Sequence, residues 1–322
     1  MFESKYLRSK TFPKRFRRPR IFEIDFMRGF DIILMILIHL CFVASGSGVI
    51  SFFDKSSQSL EWVNAMNEFF GKVFWGIVNA NGIDLARSTG GAFYAASPGT
   101  VKALRLIFLE VFFSGLFVFL SGISCSFTRN NAKRGLQLAY VAEIMTVLLF
   151  LLSGILRGFK EPLNPFGKPE VCIILGILQS IAIALLVYAL FDHFFPKYWQ
   201  TFLAAIFLTI IAIITSYYYT DANGSIYTAN LPEDWWKLLL GLARYGEDYF
   251  SPTQICAVMF LGASFGKVFY RKRQSLLPSL LPTKWARPIL FLGRHSLAVY
   301  ILHQPLIYLF FGLFYLILGY RF

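Results

Sequence analysis

Charge is the scarcest property of this chain: Asp, Glu, Lys and Arg make up 15% of its 322 residues, against about a quarter in an ordinary soluble domain. That shortage excludes a soluble globular protein of this size. Cysteine is sparse as well. Cys41, Cys125, Cys172 and Cys256 each stand alone inside an apolar block, so they read as small packing residues and exclude a disulfide frame. Four histidines in four separate contexts offer no ligand spacing such as H-x-x-x-H, and no metal is expected. A glycine-rich phosphate loop ending in lysine is missing, which argues against an ATP-driven pump, and no G-x-S-x-G elbow marks a serine hydrolase. Neither an internal repeat nor a low-complexity segment stands out.

What fills the chain is apolar and aromatic: 56% hydrophobic residues, 18% Phe, Trp and Tyr, and a mean hydropathy of +0.57. The apolar residues fall in blocks of roughly 20, the length a helix needs to cross a bilayer. The expected fold is all-α, a polytopic helical membrane protein of about seven transmembrane helices. The spans are placed near 30–53, 104–127, 136–156, 171–191, 200–220, 252–270 and 296–318, with a short apolar stretch at Pro288–Leu292 that re-enters the membrane or complicates the count. A basic tail, residues 1–23, precedes a single membrane domain, residues 24–322. Two long outer loops, 54–103 and 221–251, interrupt that domain.

The formal net charge of +13 points to lipid rather than nucleic acid, because of where it lies. Eight Lys and Arg crowd the first twenty residues, in "KYLRSKTFPKRFRRPR" directly before the first span. Such a tail holds a terminus in the cytoplasm and touches anionic lipid. No base-reading element follows it, and no cleavable signal is visible. With the N-terminus inside, 20 of the 31 basic residues collect on the inner face, as the positive-inside rule requires. In the first outer loop, "EWVNAMNEFFGKVFWGIV" spaces Trp62, Met66, Phe69, Phe70, Val73 and Ile77 as one helical face, an amphipathic helix that lies on the outer leaflet or caps the bundle. In the second, Trp235 and Trp236 beside Glu233 and Asp234 form either a stacking platform for a sugar or part of the interfacial aromatic belt.

The stretch "IDFMRGFDIILMILIH" carries the most chemistry. Arg28 and His39 are eleven residues apart, about 20° past three full turns, so they share one helix face, with a rise of roughly 16 Å between them. A cation thus sits at the membrane surface with an imidazole stacked above it near the midplane. Two readings fit. In one, His39 faces a cavity as a neutral general base. In the other, His39 bonds across two helices while Arg28 snorkels or pairs with Asp25 and Asp31.

The Arg, ten intervening residues and His in "EIDFMRGFDIILMILIH" resemble the signature of transmembrane acyltransferases, and of the bacterial relatives of heparan-alpha-glucosaminide N-acetyltransferase in particular. "FVFLSGISCSFTRNNAKRGLQL" (117–138), "ILGILQSIAIALL" (174–186), "MFLGASFGKVFY" (259–270) and "FLGRHSLAVYILHQPLI" (291–307) resemble the same family in the expected order. The resemblance implies an integral protein of a bacterial plasma membrane. Such a protein moves an acetyl or other acyl group from cytoplasmic acyl-coenzyme A, usually acetyl-CoA, to a hydroxyl or amine of a glycan or glycolipid on the other side, with no metal. It places Arg28 on a phosphate of the coenzyme and His39 at the thioester, and it favours Arg134 through its "RG"; Arg129 and Arg134 either complete the anion site or, the stronger reading for each alone, are ordinary positive-inside flanking. Gln179 stands where relatives commonly have His, and its amide is expected on the acceptor or the thioester carbonyl.

In "GRHSLAVYILHQP", Arg294 and His295 lie near the inner face, within reach of the coenzyme, while His303 and Gln304 lie deeper, toward the reaction chamber; for each histidine a structural bond between helices is the equal alternative. Ser296 reads as an N-cap and Pro305 as a kink. A proton-coupled secondary transporter or flippase would also bury His and Glu and break a helix, but it would carry inverted repeats, and none is seen. A passive scaffold leaves the stacking of His39 over Arg28 unexplained.

Overall fold

The computed structural model describes residues 21–44, 61–80, 115–128, 130–156, 175–217, 229, 233–243, 245, 249–271, 274–276 and 286–318. Among these residues the backbone forms ten helices and no strand: α1 Phe22–Phe42, α2 Glu61–Ala80, α3 Leu116–Cys125, α4 Asn131–Leu156, α5 Ile177–Phe194, α6 Tyr198–Tyr217, α7 Trp235–Leu240, α8 Pro252–Phe269, α9 Ala286–Arg294 and α10 Ser296–Ile317. The protein is all-helical. Four of the helices, α5, α6, α8 and α10, are long and apolar enough to cross a membrane, and α3 is a shorter apolar helix. With 21 and 26 residues, α1 and α4 have the length, but they carry charged residues in their first turns.

Those charges explain where α1 begins. The apolar run starts at Phe30, yet the helix starts at Phe22, because Glu23 and Asp25 in its first turn suit the positive end of the helix dipole. Pro252 opens α8 at a position that needs no N–H. At the last span His295, not Ser296, is the N-cap residue; Ser296 is already helical, and no side chain caps the end. The apolar stretch at Pro288–Leu292 folds within α9, and a single residue, His295, separates α9 from α10. Pro305 sits inside α10, where it cannot donate to the carbonyl of Ile301.

The hub is α8, which packs on α3, α5, α6 and α7, while α1 packs on α9, α10, α2 and α3. Two crossings bring backbones into direct contact. A Cβ on Gly122 of α3 would lie 2.2 Å from the Met259 carbonyl oxygen, and one on Gly262 of α8 would lie 2.1 Å from that of Phe119. Likewise a Cβ on Gly29 would meet the Ile289 oxygen at 1.9 Å, and one on Gly293 the Asp25 oxygen at 1.8 Å. Small residues that let backbones approach replace the hydrophobic drive that lipid does not supply. Around the first crossing lies the largest core cluster, with Val118, Tyr188, Met259 and Phe260 fully buried.

The amphipathic segment of the first loop is helical as expected, and it caps the bundle. Val63 is fully buried against Val43, Ile307, Phe311 and Tyr315, at the C-terminal ends of α1 and α10. Asn67, from the polar side of the wheel, accepts a hydrogen bond of 3.1 Å from the Tyr315 hydroxyl.

Candidate active site

Arg28 is aimed at α3. Its Nη2 donates to the Leu120 carbonyl at 3.0 Å and to Ser124 Oγ at 2.7 Å, so its hydrogen bonds do not go to Asp31. Its Nε is buried with no hydrogen-bond partner. Arg134, at the start of α4, donates to Thr128 Oγ1 at 3.2 Å and Asn131 Oδ1 at 3.4 Å, and lies close enough for the two guanidinium charges to repel. Ser124, in the last turn of α3, and Thr128, in the turn that follows it, each present a hydroxyl to one of the two cations. The sequence "SGISCSFT" carries those hydroxyls four residues apart in an apolar segment.

The other basic candidates are placed differently. Arg294 Nε pairs with Asp25 Oδ2 at 3.4 Å, which ties α9 to the first turn of α1. His295 is exposed, bonded through Nδ1 to its own Phe291 carbonyl at 2.9 Å. Arg129 lies outside the described residues.

At mid-helix the structure brings His39 and His303 together. Their ring centroids are 4.9 Å apart, edge to face. Each Nδ1 points at a carbonyl of its own helix, Met35 at 2.9 Å for His39 and Tyr300 at 2.6 Å for His303. An Nδ1 facing a carbonyl carries the proton, which leaves the Nε2 lone pair as the acceptor in a neutral ring. His303 is 5% exposed, and its Nε2 is buried without a partner. The α1 face that carries Arg28 therefore also carries His39, whose ring meets the His303 ring of α10.

On the neighbouring face of α10 lies a cavity of about 40 Å³ between α4, α5 and α10. Gln179 and Gln304 both line it, with Thr146 and Tyr300. Gln179 is buried and donates from Nε2 to Thr146 Oγ1 at 2.7 Å. Trp235 and Trp236 are not among its lining residues; both are exposed on α7, where Lys237 pairs with Asp234. No cluster of three or more potential metal ligands occurs among the described residues.

Four helices long and apolar enough to cross a membrane, with paired imidazoles packed between α1 and α10, define an integral-membrane protein. Residues 91–305, two thirds of the chain, match the family model of heparan-alpha-glucosaminide N-acetyltransferase, catalytic, and the chain belongs to that family of membrane acetyltransferases. The matched stretch contains Arg134, Gln179, His303 and Gln304, whereas Arg28 and His39 precede it. No curated protein and no solved structure matches the chain.

Proposed function

We propose that the protein transfers an acetyl group from cytoplasmic acetyl-coenzyme A to a hydroxyl or amine of a glycan or glycolipid across the membrane, with the basic tail and the Arg28 end on the cytoplasmic side and seven spans in all. The coenzyme supplies the activated acetyl thioester. Arg28 and Arg134 suit its phosphates: two guanidinium groups share one corner, their hydrogen bonds go to neutral oxygens, and a buried Nε lacks a partner. Charge-assisted bonds from such a fork hold a phosphate in a fixed orientation.

The observation that carries the reading is the contact of His39 with His303, one on α1 above Arg28 and one on α10. His39 Nε2 accepts the proton of the attacking hydroxyl or amine. His303, its ring edge to face with that of His39 and held by Tyr300, keeps that ring in place; the nucleophile bonds the thioester carbonyl carbon, the carbon–sulfur bond breaks, and the proton on His39 passes to the departing thiolate of coenzyme A. Gln179 and Gln304 bind neutral polar groups of the reactants.

The test is transfer of labelled acetyl from acetyl-coenzyme A to a glucosaminide-terminated acceptor by the purified chain. His39→Ala is expected to slow transfer by about 10²–10⁴, the usual contribution of a general base, with the melting temperature unchanged. Movement of substrate across vesicles without consumption of thioester would favour a proton-coupled transporter and sink the proposal.

A further inference from the structure

Among the described residues four buried side-chain atoms lack a hydrogen-bond partner: Arg28 Nε, Asp31 Oδ1, Ser251 Oγ and His303 Nε2. Arg28 and His303 have a place in the reading above; Asp31, on the same helix as Arg28, has none. Asp31 is 3% exposed. It stands three residues after Arg28, a spacing at which a carboxylate and a guanidinium on one helix are within pairing reach. Here they are not paired, because Arg28 Nη2 bonds Leu120 and Ser124. A buried carboxyl and a partly buried guanidinium thus lie one turn apart, each with an atom unmatched, and that arrangement is costly.

Helical phase gives the direction of the carboxyl. Asp31 is about 20° from Ile24 and about 160° from Gly29. Ile24 packs with Leu120 and Ile123 of α3, whereas Gly29 is where α9 touches α1. Asp31 therefore lies on the side of α1 that meets α3, as Arg28 does, and is about 4.5 Å further along the helix toward His39.

A ligand that satisfies both residues presents an acceptor to Arg28 and, a few ångströms closer to His39, a donor to Asp31. A bare phosphate has no donor at neutral pH, and a sugar hydroxyl has no charge for the guanidinium. The arm of coenzyme A has both in that order: the third carbon beyond its diphosphate carries a hydroxyl, and an amide N–H follows. We propose that Asp31 accepts a hydrogen bond from that pantetheine arm, at its hydroxyl or first amide N–H, and so sets the course of the arm from Arg28 toward His39. The proposal rests on the acyl-coenzyme A reading given above and adds a binding residue to it.

Equilibrium binding to the full-length protein in detergent tests it, with acetyl-coenzyme A and adenosine 3′,5′-bisphosphate as probes; the bisphosphate keeps the phosphates and lacks the arm. Asp31→Leu is expected to weaken acetyl-coenzyme A about tenfold, the worth of a hydrogen bond to a charged group, and to leave the bisphosphate within about twofold. Arg28→Ala weakens both probes. Asp31→Asn keeps an accepting oxygen and is expected to stay within about threefold of wild type for acetyl-coenzyme A. The melting temperature of ligand-free Asp31→Leu is expected to be unchanged or higher, since an apolar side chain of similar size removes an unmatched carboxyl. Equal loss of both probes in Asp31→Leu, together with a lower melting temperature, shows that Asp31 serves the fold and overturns the proposal. Undiminished binding of acetyl-coenzyme A to Asp31→Leu overturns it as well. Either result leaves the coenzyme reading intact, whereas wild-type protein that binds neither probe overturns that reading itself.

Discussion

Two partly buried cations at the same end of the bundle are treated in opposite ways. Lys267, at the end of α8, is surrounded by acceptors: Asp192 Oδ1 at 2.5 Å, Thr201 Oγ1 at 2.9 Å and the Pro196 carbonyl at 3.0 Å, with the Tyr188 ring 5.6 Å away. Its charge is neutralised, and the contact joins the ends of α5, α6 and α8. Arg28 donates to a carbonyl and a hydroxyl, keeps an Nε without a partner, and feels the repulsion of a second guanidinium, Arg134, against the attraction of Asp25. A charge taken out of water and left uncompensated is costly. Lys267 completes a structure, and the contrast is why Arg28 is proposed as a ligand for the coenzyme.

That contrast can be broken by exchanging the roles. Arg28→Ala is expected to weaken acetyl-coenzyme A binding by about 10- to 100-fold, the worth of a hydrogen bond to a charged group, with little loss of thermal stability. Arg28→Lys should not restore the affinity, because an ammonium lacks the planar fork. Equal loss of melting temperature and of affinity would show that Arg28 is structural like Lys267.

The reverse pattern is expected of Lys267→Met. Breaking a fully buried pair costs about 3–5 kcal/mol; Asp192 keeps 35% of its side chain exposed, so about 2 kcal/mol is expected here, read as a lower melting temperature at unchanged donor affinity. Adding Asp192→Leu should recover most of the loss, and failure to do so would refute the pairing as its cause. The smallest effect belongs to the opposite end. Tyr315→Phe removes the bond to Asn67 and is expected to cost about 1 kcal/mol of stability, with donor binding unaffected.

Much of this was legible in the residue order. The spacing of Arg28 and His39 places them on one helix face at any packing, because 100° per residue is a property of the backbone. The spans near 200–220, 252–270 and 296–318 became helices Tyr198–Tyr217, Pro252–Phe269 and Ser296–Ile317, since an apolar run of that length must bond its own backbone in lipid. Local chemistry that opposes the hydropathy was harder to read: the acidic first turn drew the start of α1 back to Phe22. The first half of the expected second span, residues 104–114, lies outside the described residues; the second half contains α3.

The site divides along the same line. Residue type and phase identified His39, His303, Gln179 and Gln304 as polar groups inside apolar helices, a placement expensive enough to mark function. Nothing local says which helix a side chain will meet. Arg294, His295, Trp235 and Trp236 were equally eligible by type, yet Arg294 bonds Asp25, and the other three are exposed.

The sequence by itself determined an all-helical membrane protein, the common face of Arg28 and His39, and the family motifs, because hydrophobic length and helical period are written one residue at a time. Only the tertiary structure decided that His39 meets His303, that Arg28 meets Ser124 and approaches Arg134, and that Gln179 and Gln304 share a cavity. Those pairings follow from which backbones can touch, and that is set by Gly29 against Ile289, Gly293 against Asp25, and Gly122 and Gly262 where α3 crosses α8.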